Sequence, residues 1–176
     1  NALLEIDGPP GRALWVATLG GGLFRIGPRE ATSYALPTGG ALAIARGRGA
    51  GGPVWLGTDG GGVVRIRFGA FRTLDVSSGL PDGAIRAIVE TRQADGGDAF
   101  WLGTDAGLLR YAGDRFTVLG RTAGLPDVEV NALAVSPGPA GDALWVGTEG
   151  GLARIGGAPV RRWTSRDGLP GDRVRA

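Results

Sequence analysis

The chain has 176 residues, 35 of which are glycine, and its formal net charge at pH 7 is only +2. It has no cysteine and no histidine, which excludes disulfides, Ser-His-Asp triads and ordinary Cys/His zinc sites within this segment. No block of like charge gives it the electrostatic footprint of a nucleic-acid-binding protein, and no apolar stretch reaches the length of a membrane span.

A short tryptophan-containing motif recurs four times along the chain. Its copies are spaced by 40, 46 and 44 residues and read Trp15-Val16-Ala17-Thr18, Trp55-Leu56-Gly57-Thr58, Trp101-Leu102-Gly103-Thr104 and Trp145-Val146-Gly147-Thr148. A period of about 40–50 residues made of strand-like segments predicts β-propeller blades. Because the tryptophan keeps its place in all four copies, we interpret it as inter-blade packing and not as a ligand platform.

Each repeat contains four short apolar runs that predict strands. The first runs are 1–6, 41–45, 85–89 and 130–135, and the tryptophan motifs form the second runs. The third runs are 23–26, 63–66, 108–111 and 152–155, and weaker fourth runs include 115–119 and 160–164. Turn residues bound every run, which is typical of an antiparallel meander. No window shows sustained helical periodicity, so we expect almost no helix.

The predicted fold class is all-β: a β-propeller of four consecutive four-stranded antiparallel blades. The blades are expected at about 1–40, 41–84, 85–129 and 130–173, with 174–176 starting a further blade. Both ends carry the same strand start, Asn1-Ala2-Leu3 and Arg173-Val174-Arg175-Ala176. We therefore expect a fragment of a larger propeller of about seven blades, with additional blades of the same chain as its neighbours.

Acidic residues follow three of the tryptophan motifs, in the turn between the second and the third predicted strand. They are Asp59, Asp105 and Glu149, and each lies between a threonine and small residues. An acid beside glycine predicts a hairpin turn in which the carboxylate accepts backbone N–H bonds. The first repeat has Leu19 at this place. The alternative of an acidic rim that binds sugar hydroxyls therefore stays open.

Polar residues also enter the innermost strands, just after loops of the type Gly-Leu-Pro. The loops begin at Gly79, Gly124 and Gly168, and their leucine is expected to fill the seam between blades while proline stiffens the crossover. One or two residues into the next strand come Arg86, Asn131 and Arg175, whereas the second repeat has Leu42 there. If these strands line a central channel, the three polar side chains lie near its mouth and are candidate ligand contacts.

The order of these motifs resembles the two-component regulator propeller repeat. The best copy runs from Gly124 to Ile155, with Gly-Leu-Pro, an apolar strand, Leu-Trp-Val-Gly-Thr and Gly-Gly-Leu-Ala-Arg-Ile in succession. The first repeat departs from it, since Ala17 replaces glycine and residues 37–40 replace Gly-Leu-Pro. The resemblance implies a seven-bladed propeller in the periplasmic part of a bacterial membrane sensor. Such sensors feed a histidine kinase, a response-regulator domain or a cyclic-nucleotide synthase, and in several groups they detect carbohydrate fragments.

The function implied is that of a ligand-sensing, extracytoplasmic propeller domain, although a cytoplasmic location stays open. It would bind a small molecule or oligosaccharide and signal through rearrangement of propeller domains, in a receptor that is a homodimer. We predict no catalytic residue, metal or cofactor here, and no contact with nucleic acid or membrane; kinase or cyclase activity would lie downstream. The alternatives are a non-catalytic structural or protein-interaction propeller and a lyase-type or carbohydrate-active enzyme whose catalytic residues lie outside this segment.

Overall fold

The computed structural model describes residues 2–7, 11–36, 40–49, 51–67, 69–81, 84–139, 141–156 and 159–175. Several residues used in the predictions above lie outside these ranges: Asn1, 37–39 and Ala176. The chain divides into two compact units, Asn1–Ile85 and Arg86–Ala176, and each is described by itself.

The first unit contains two four-stranded sheets. The first sheet has β1 (Ala2–Ile6), β2 (Ala13–Thr18), β3 (Gly22–Ile26) and β4 (Ala31–Tyr34). The second has β5 (Ala41–Arg46), β6 (Val54–Thr58), β7 (Val63–Arg67) and β8 (Ala70–Leu74). Every strand pairs antiparallel with the next along the chain, so both sheets are meanders.

The second unit repeats this plan, although its first strand begins one residue before the unit itself, at Ile85. The third sheet has β9 (Ile85–Arg92), β10 (Asp98–Thr104), β11 (Gly107–Ala112) and β12 (Arg115–Leu119). The fourth has β13 (Val130–Ser136), β14 (Ala143–Thr148), β15 (Gly151–Ile155) and β16 (Arg161–Trp163). The strand order again follows the chain. The predicted all-β, antiparallel, four-stranded sheets are therefore confirmed.

Helix within the described residues is limited to three short 3₁₀ segments. They precede the Gly-Leu-Pro loops and span Val76–Ser78, Arg121–Ala123 and Ser165–Asp167. Each ends at the glycine of its loop, which takes a left-handed conformation with φ of 88°, 93° and 101° in turn. That conformation is readily available only to glycine, so the loop glycine fixes the end of each segment.

The core of each unit lies between its two sheets. In the first unit Trp15 packs in a cluster with Ala17 and Leu23 of the first sheet and with Val54 and Leu56 of the second. In the second unit Trp101 packs with Val130, Leu144 and Val146 of the fourth sheet. Leu125, the leucine of a Gly-Leu-Pro loop, is fully buried in that same cluster, which is the place expected for a residue filling a seam.

A tryptophan on the second strand lies opposite an arginine on the third in every sheet. The pairs are Trp15 with Arg25, Trp55 with Arg65, Trp101 with Arg110 and Trp145 with Arg154. The guanidinium of Arg65 lies 5.9 Å from the Trp55 ring centre, and that of Arg154 lies 5.7 Å from the Trp145 ring. At these distances the arginine covers the indole with its stem and places its charge over the ring.

Candidate functional site

Threonine holds the turns between the second and third strands of each sheet. Thr104 Oγ1 donates to the Gly107 carbonyl at 2.8 Å and accepts from the Ala106 N–H at 3.1 Å. Thr148 Oγ1 makes the equivalent bonds to Gly151 at 2.8 Å and from Gly150 at 3.2 Å. The same hydroxyl-to-carbonyl bond closes the turns after Thr18 and Thr58.

The acids beside these threonines have other partners, so the predicted carboxylate-to-backbone turn is wrong for Asp105 and Glu149. Because the threonine hydroxyl already satisfies the turn, the carboxylate is available for side chains of the inner strands. Asp105 Oδ1 lies 2.7 Å from Nη2 of Arg86, the second residue of β9. The Asp105 carboxylate therefore pairs with a side chain of the inner strand β9 and not with the backbone of its own turn.

Arg86 links the third sheet to the fourth. Its Nη1 lies 3.4 Å from the Glu129 Oε1 and donates to the Asn131 Oδ1 at 3.2 Å, while Nη2 faces Asp105. The side chain of Arg86 is 38% exposed, that of Asp105 is 44% exposed and that of Glu129 is 38% exposed. The contacts are therefore open to solvent and reachable by a ligand.

Asn131 extends the chain of contacts to Glu149. Its Nδ2 donates to Glu149 Oε1 at 2.8 Å, and Arg173 Nε donates to the other carboxylate oxygen. The side chain of Glu149 is 18% exposed, and this burial raises its pKa. The hydrogen bonds from Asn131 and Arg173 and the charges of Arg173 and Arg175 lower the pKa by more than burial raises it. The net pKa lies below the ordinary value. Glu149 is therefore ionised at neutral pH and suited to accept hydrogen bonds.

These contacts define one continuous group, which we call the inner-strand network: Arg86, Asp105, Glu129, Asn131, Glu149 and Arg173. Four of the six predicted ligand-binding residues belong to it. A fifth, Arg175, acts on Glu149 through its charge.

Asp59 is not part of the network. It lies in the first unit, on the exposed turn after β6, where its N–H donates to the Gly40 carbonyl at 2.9 Å. Its carboxylate makes no hydrogen bond or ion pair with a described residue. The reason lies in its own sheet, since the inner-strand place filled by Arg86 or Asn131 elsewhere holds Leu42, which has no polar atom to offer.

Two network residues, Glu129 and Arg173, were missed in the sequence. Each immediately precedes the apolar residue that starts an inner strand or its equivalent, Val130 or Val174. The missed signal is the charge at this position, because the equivalent residues Gly40 and Ala84 are uncharged. A charge at two of these four equivalent positions marks a departure from the scaffold pattern.

The chemistry of the network is that of binding. Together with Arg175 it offers three cations, three anions and an amide, which supply many donors and acceptors with little net charge. The described residues contain no group of three or more His, Cys, Asp or Glu side chains placed to hold a metal ion. None of the described helices is long and apolar enough to span a membrane.

Comparison with known proteins gave no matching family model and no matching curated protein. Several solved structures share the fold, among them two extracellular domains. The extracellular domain assigned to the one component system BT4673 of B. thetaiotaomicron superposes with a TM-score of 0.67 at 22% identity, over 92% of this chain and 23% of that one. The extracellular domain assigned to the hybrid two component system BT3049 gives 0.58 at 19% identity, over 97% of this chain and 30% of that one.

The chain thus spans between about a quarter and a third of the length of these two structures. At such identities the likeness concerns the fold alone, which is a β-propeller built from four-stranded blades. It confirms the propeller predicted from the tryptophan repeats. At the level of fold, it also supports the resemblance to the two-component regulator propeller repeat.

Proposed function

We propose that this chain is part of the ligand-sensing, extracytoplasmic propeller of a bacterial signalling receptor. We further propose that the inner-strand network contacts a small polyhydroxylated ligand such as a carbohydrate fragment. The fold that this chain shares with extracellular domains of a one component and a hybrid two component system supports the proposed extracytoplasmic location in a signalling receptor. Output activity and dimerisation belong, in this proposal, to parts of the receptor outside the segment.

The observation that carries the ligand proposal is the asymmetry of the network between repeats. Packing residues such as the tryptophans recur in all four sheets, as a scaffold requires. Polar residues occupy the inner-strand place at Arg86 and Asn131, where the second sheet is built equally well with Leu42. Polar side chains that the scaffold does not need, and that remain partly exposed, are the ones expected to serve binding.

The proposed mechanism is a shift between two arrangements of the receptor's propeller domains. A ligand hydroxyl can donate to Glu149 beside the amide of Asn131, which holds that carboxylate in place, or can replace Glu129 as an acceptor for Arg86. The exchange favours whichever arrangement presents these groups best, and the shift is limited by the difference in ligand affinity between the two states.

A catalytic role is not proposed for this segment. A carboxyl that acts as a general acid near neutral pH needs a raised pKa, as in glycoside hydrolysis. The pKa of Glu149, which is the most buried acid of the network, is shifted in the opposite direction. Its ionised form can accept ligand hydrogen bonds but has no proton to give.

The test is calorimetric titration of the chain with a panel of neutral oligosaccharides. The informative variant is Asn131→Leu, which copies the natural Leu42, and the matched control is Asp59→Asn at the turn outside the network. We expect saturable binding by the wild type, a loss of about tenfold or more in Asn131→Leu, and no change in Asp59→Asn. Equal affinities for wild type and Asn131→Leu, with both folded by thermal melting, would favour the structural or protein-interaction alternative.

A further inference from the structure

A second candidate site lies in the first unit, in a cleft of about 360 Å³ lined by residues of both its sheets. Small-molecule sites have volumes of roughly 300–1,000 Å³, so a single ring with one or two substituents would fit. We call it the aromatic cleft and define it by the side chains used below, which are Trp15, Arg25, Tyr34, Arg46 and Phe71.

One wall of the aromatic cleft is a row of three rings. Tyr34 at the end of β4 stacks on Trp15 of β2, with ring centres 5.7 Å apart and planes inclined by 13°. Phe71 of β8 contacts Tyr34 at 5.3 Å and 41°. The row therefore crosses from the first sheet to the second and passes from a buried ring to Phe71, which is 44% exposed. An aromatic ring held in an open cleft can stack on a flat ligand.

One of the two contacts in this row follows from the repeat, and the other does not. In the second unit the outer-strand aromatics pair within their own sheets: Trp163 lies 5.4 Å from Trp145, and Phe116 lies 4.7 Å from Tyr111. The stacking of Tyr34 on Trp15 matches that of Trp163 on Trp145, because Tyr34 and Trp163 hold equivalent places opposite Leu23 and Leu152. What distinguishes the first unit is that its two outer-strand aromatics, Tyr34 and Phe71, also contact each other across two sheets.

The charged residues among the remaining lining of the cleft are mostly cationic. Arg25, Arg46 and Arg67 line it together with one acid, Asp7, whose Oδ1 lies 3.6 Å from Arg12 Nε. Arg25 pairs with Glu30 at 3.3 Å. Arg46, the last residue of β5, is half-buried and makes no hydrogen bond or ion pair with any described residue. A guanidinium in a cleft that has no acidic partner among the described residues is available to pair with an anionic ligand.

Glycines keep the cleft open. Gly11, Gly51, Gly52 and Gly69 line it, and a side chain at Gly69 would point into space that is empty for 4 Å. Gly69 has a φ of 79°, a conformation that other residues adopt only with strain. Gly69 therefore meets the backbone requirement and adds no side chain to this part of the lining.

We propose that the aromatic cleft binds a small molecule that carries a carboxylate on a six-membered ring with an apolar face. The guanidinium of Arg46 would pair with the carboxylate, since its planar fork matches two carboxylate oxygens. The ring would lie against Tyr34 and Phe71. Two sources share this chemistry, an acidic sugar and an aromatic acid. The cleft is separate from the inner-strand network and its assignment does not depend on the sensing role.

The test uses the 176-residue chain with benzoate and glucuronate as probes, and benzyl alcohol and glucose as their uncharged counterparts. Binding is followed by calorimetry and by ligand-detected NMR. The key variant is Arg46→Gln, which removes the cation, and Arg46→Lys keeps the charge without the planar fork. The matched control is Arg72→Gln, which removes the same charge from the residue next to Phe71 but outside the cleft lining.

We expect at least one carboxylate to bind more tightly than its uncharged counterpart. Arg46→Gln should weaken that binding by about tenfold to a hundredfold, Arg46→Lys by less, and Arg72→Gln not at all. Phe71→Ala should weaken it by about tenfold, with Phe71→Leu as a substitute if the alanine variant does not fold. Whichever probe binds better identifies the source.

Three results would overturn the assignment. One is no binding of either carboxylate below about 10 mM. Another is equal affinity in wild type and a folded Arg46→Gln variant. The third is an equal loss in Arg46→Gln and Arg72→Gln, which would show general electrostatic attraction in place of a site. None of these results bears on the inner-strand network, whose test uses neutral oligosaccharides and variants in the second unit.

Discussion

Gly103 of the third sheet and Val130 of the fourth approach so closely that a methyl group on Gly103 would lie 2.7 Å from Val130 Cγ1. The same relationship recurs at Gly147, where the distance to Val174 Cγ1 would be 2.8 Å. The first repeat has Ala17 at the glycine position, and the residue that corresponds to Val130 is Ala41, buried in the same cluster. The two positions therefore share one fixed volume, filled as glycine with valine or as alanine with alanine.

This shared volume predicts a compensating pair of substitutions. Gly103→Ala should lower the free energy of unfolding by about 1–3 kcal/mol, because the added methyl overlaps Val130. Adding Val130→Ala should recover part of that loss, with a favourable coupling of about 1 kcal/mol in a double-mutant cycle. Urea denaturation of the four proteins measures it. Strictly additive losses would show that the two residues do not compete for the same space.

The strands were predictable because their signals are local. A fixed period, apolar runs and turn residues placed every sheet, and β12 was predicted at its observed bounds. The reason why the tryptophan motif contains a glycine, such as Gly103, was not predictable in this way. Gly103 does not have the positive φ of a tight reversal; it is small because Val130, 27 positions later in the chain, packs on it. Only the packing of two sheets reveals that constraint.

Part of the inner-strand network could be predicted from the sequence, and the limit has a related cause. Arg86 and Asn131 could be found because they interrupt a repeat pattern visible in the sequence. The role of Asp105 was misread, since the Asp-in-turn rule is local and takes no account of Thr104, which satisfies the turn first. The aromatic cleft gave no signal, because Tyr34 and Phe71 lie on the weak fourth strands and meet only through tertiary packing.

Loss of a turn threonine should cost stability wherever its hydroxyl is buried. Thr148 is fully buried, and Thr148→Val would leave the Gly151 carbonyl and the Gly150 N–H without their present partner at nearly constant volume. We expect a loss of about 1–3 kcal/mol in the free energy of unfolding. Thr117→Val, on an exposed position of β12, should change it by less than about 0.5 kcal/mol. Similar effects at the two sites, measured by urea denaturation, would contradict the assigned role.

The ion pairs of Arg86 should contribute little to stability despite their number. With 38% of its side chain exposed, Arg86 interacts through solvent-screened contacts, so Arg86→Leu should cost at most about 1 kcal/mol. The difference between wild type and variant should shrink as salt rises, because exposed pairs are screened. Thermal melts at low and high ionic strength measure this. A large loss that is insensitive to salt would mean that Arg86 serves packing, as Leu42 does.

Acid should destabilise the second unit through Glu149. Its pKa in the folded protein lies below the ordinary value of 4.5, so the folded state favours the ionised form more than the unfolded chain does. The resulting stabilisation is fully present above pH 4.5 and is lost as the pH falls through the lower, folded-state pKa. Glu149→Gln cannot titrate, so its stability should fall less steeply between pH 5 and pH 3, roughly the window in which such a carboxylate is protonated. Asn131→Leu removes one bond that lowers this pKa and should give an intermediate slope. Parallel pH profiles for wild type and Glu149→Gln, measured by urea denaturation, would show that the bonds from Asn131 and Arg173 do not favour the ionised form in solution.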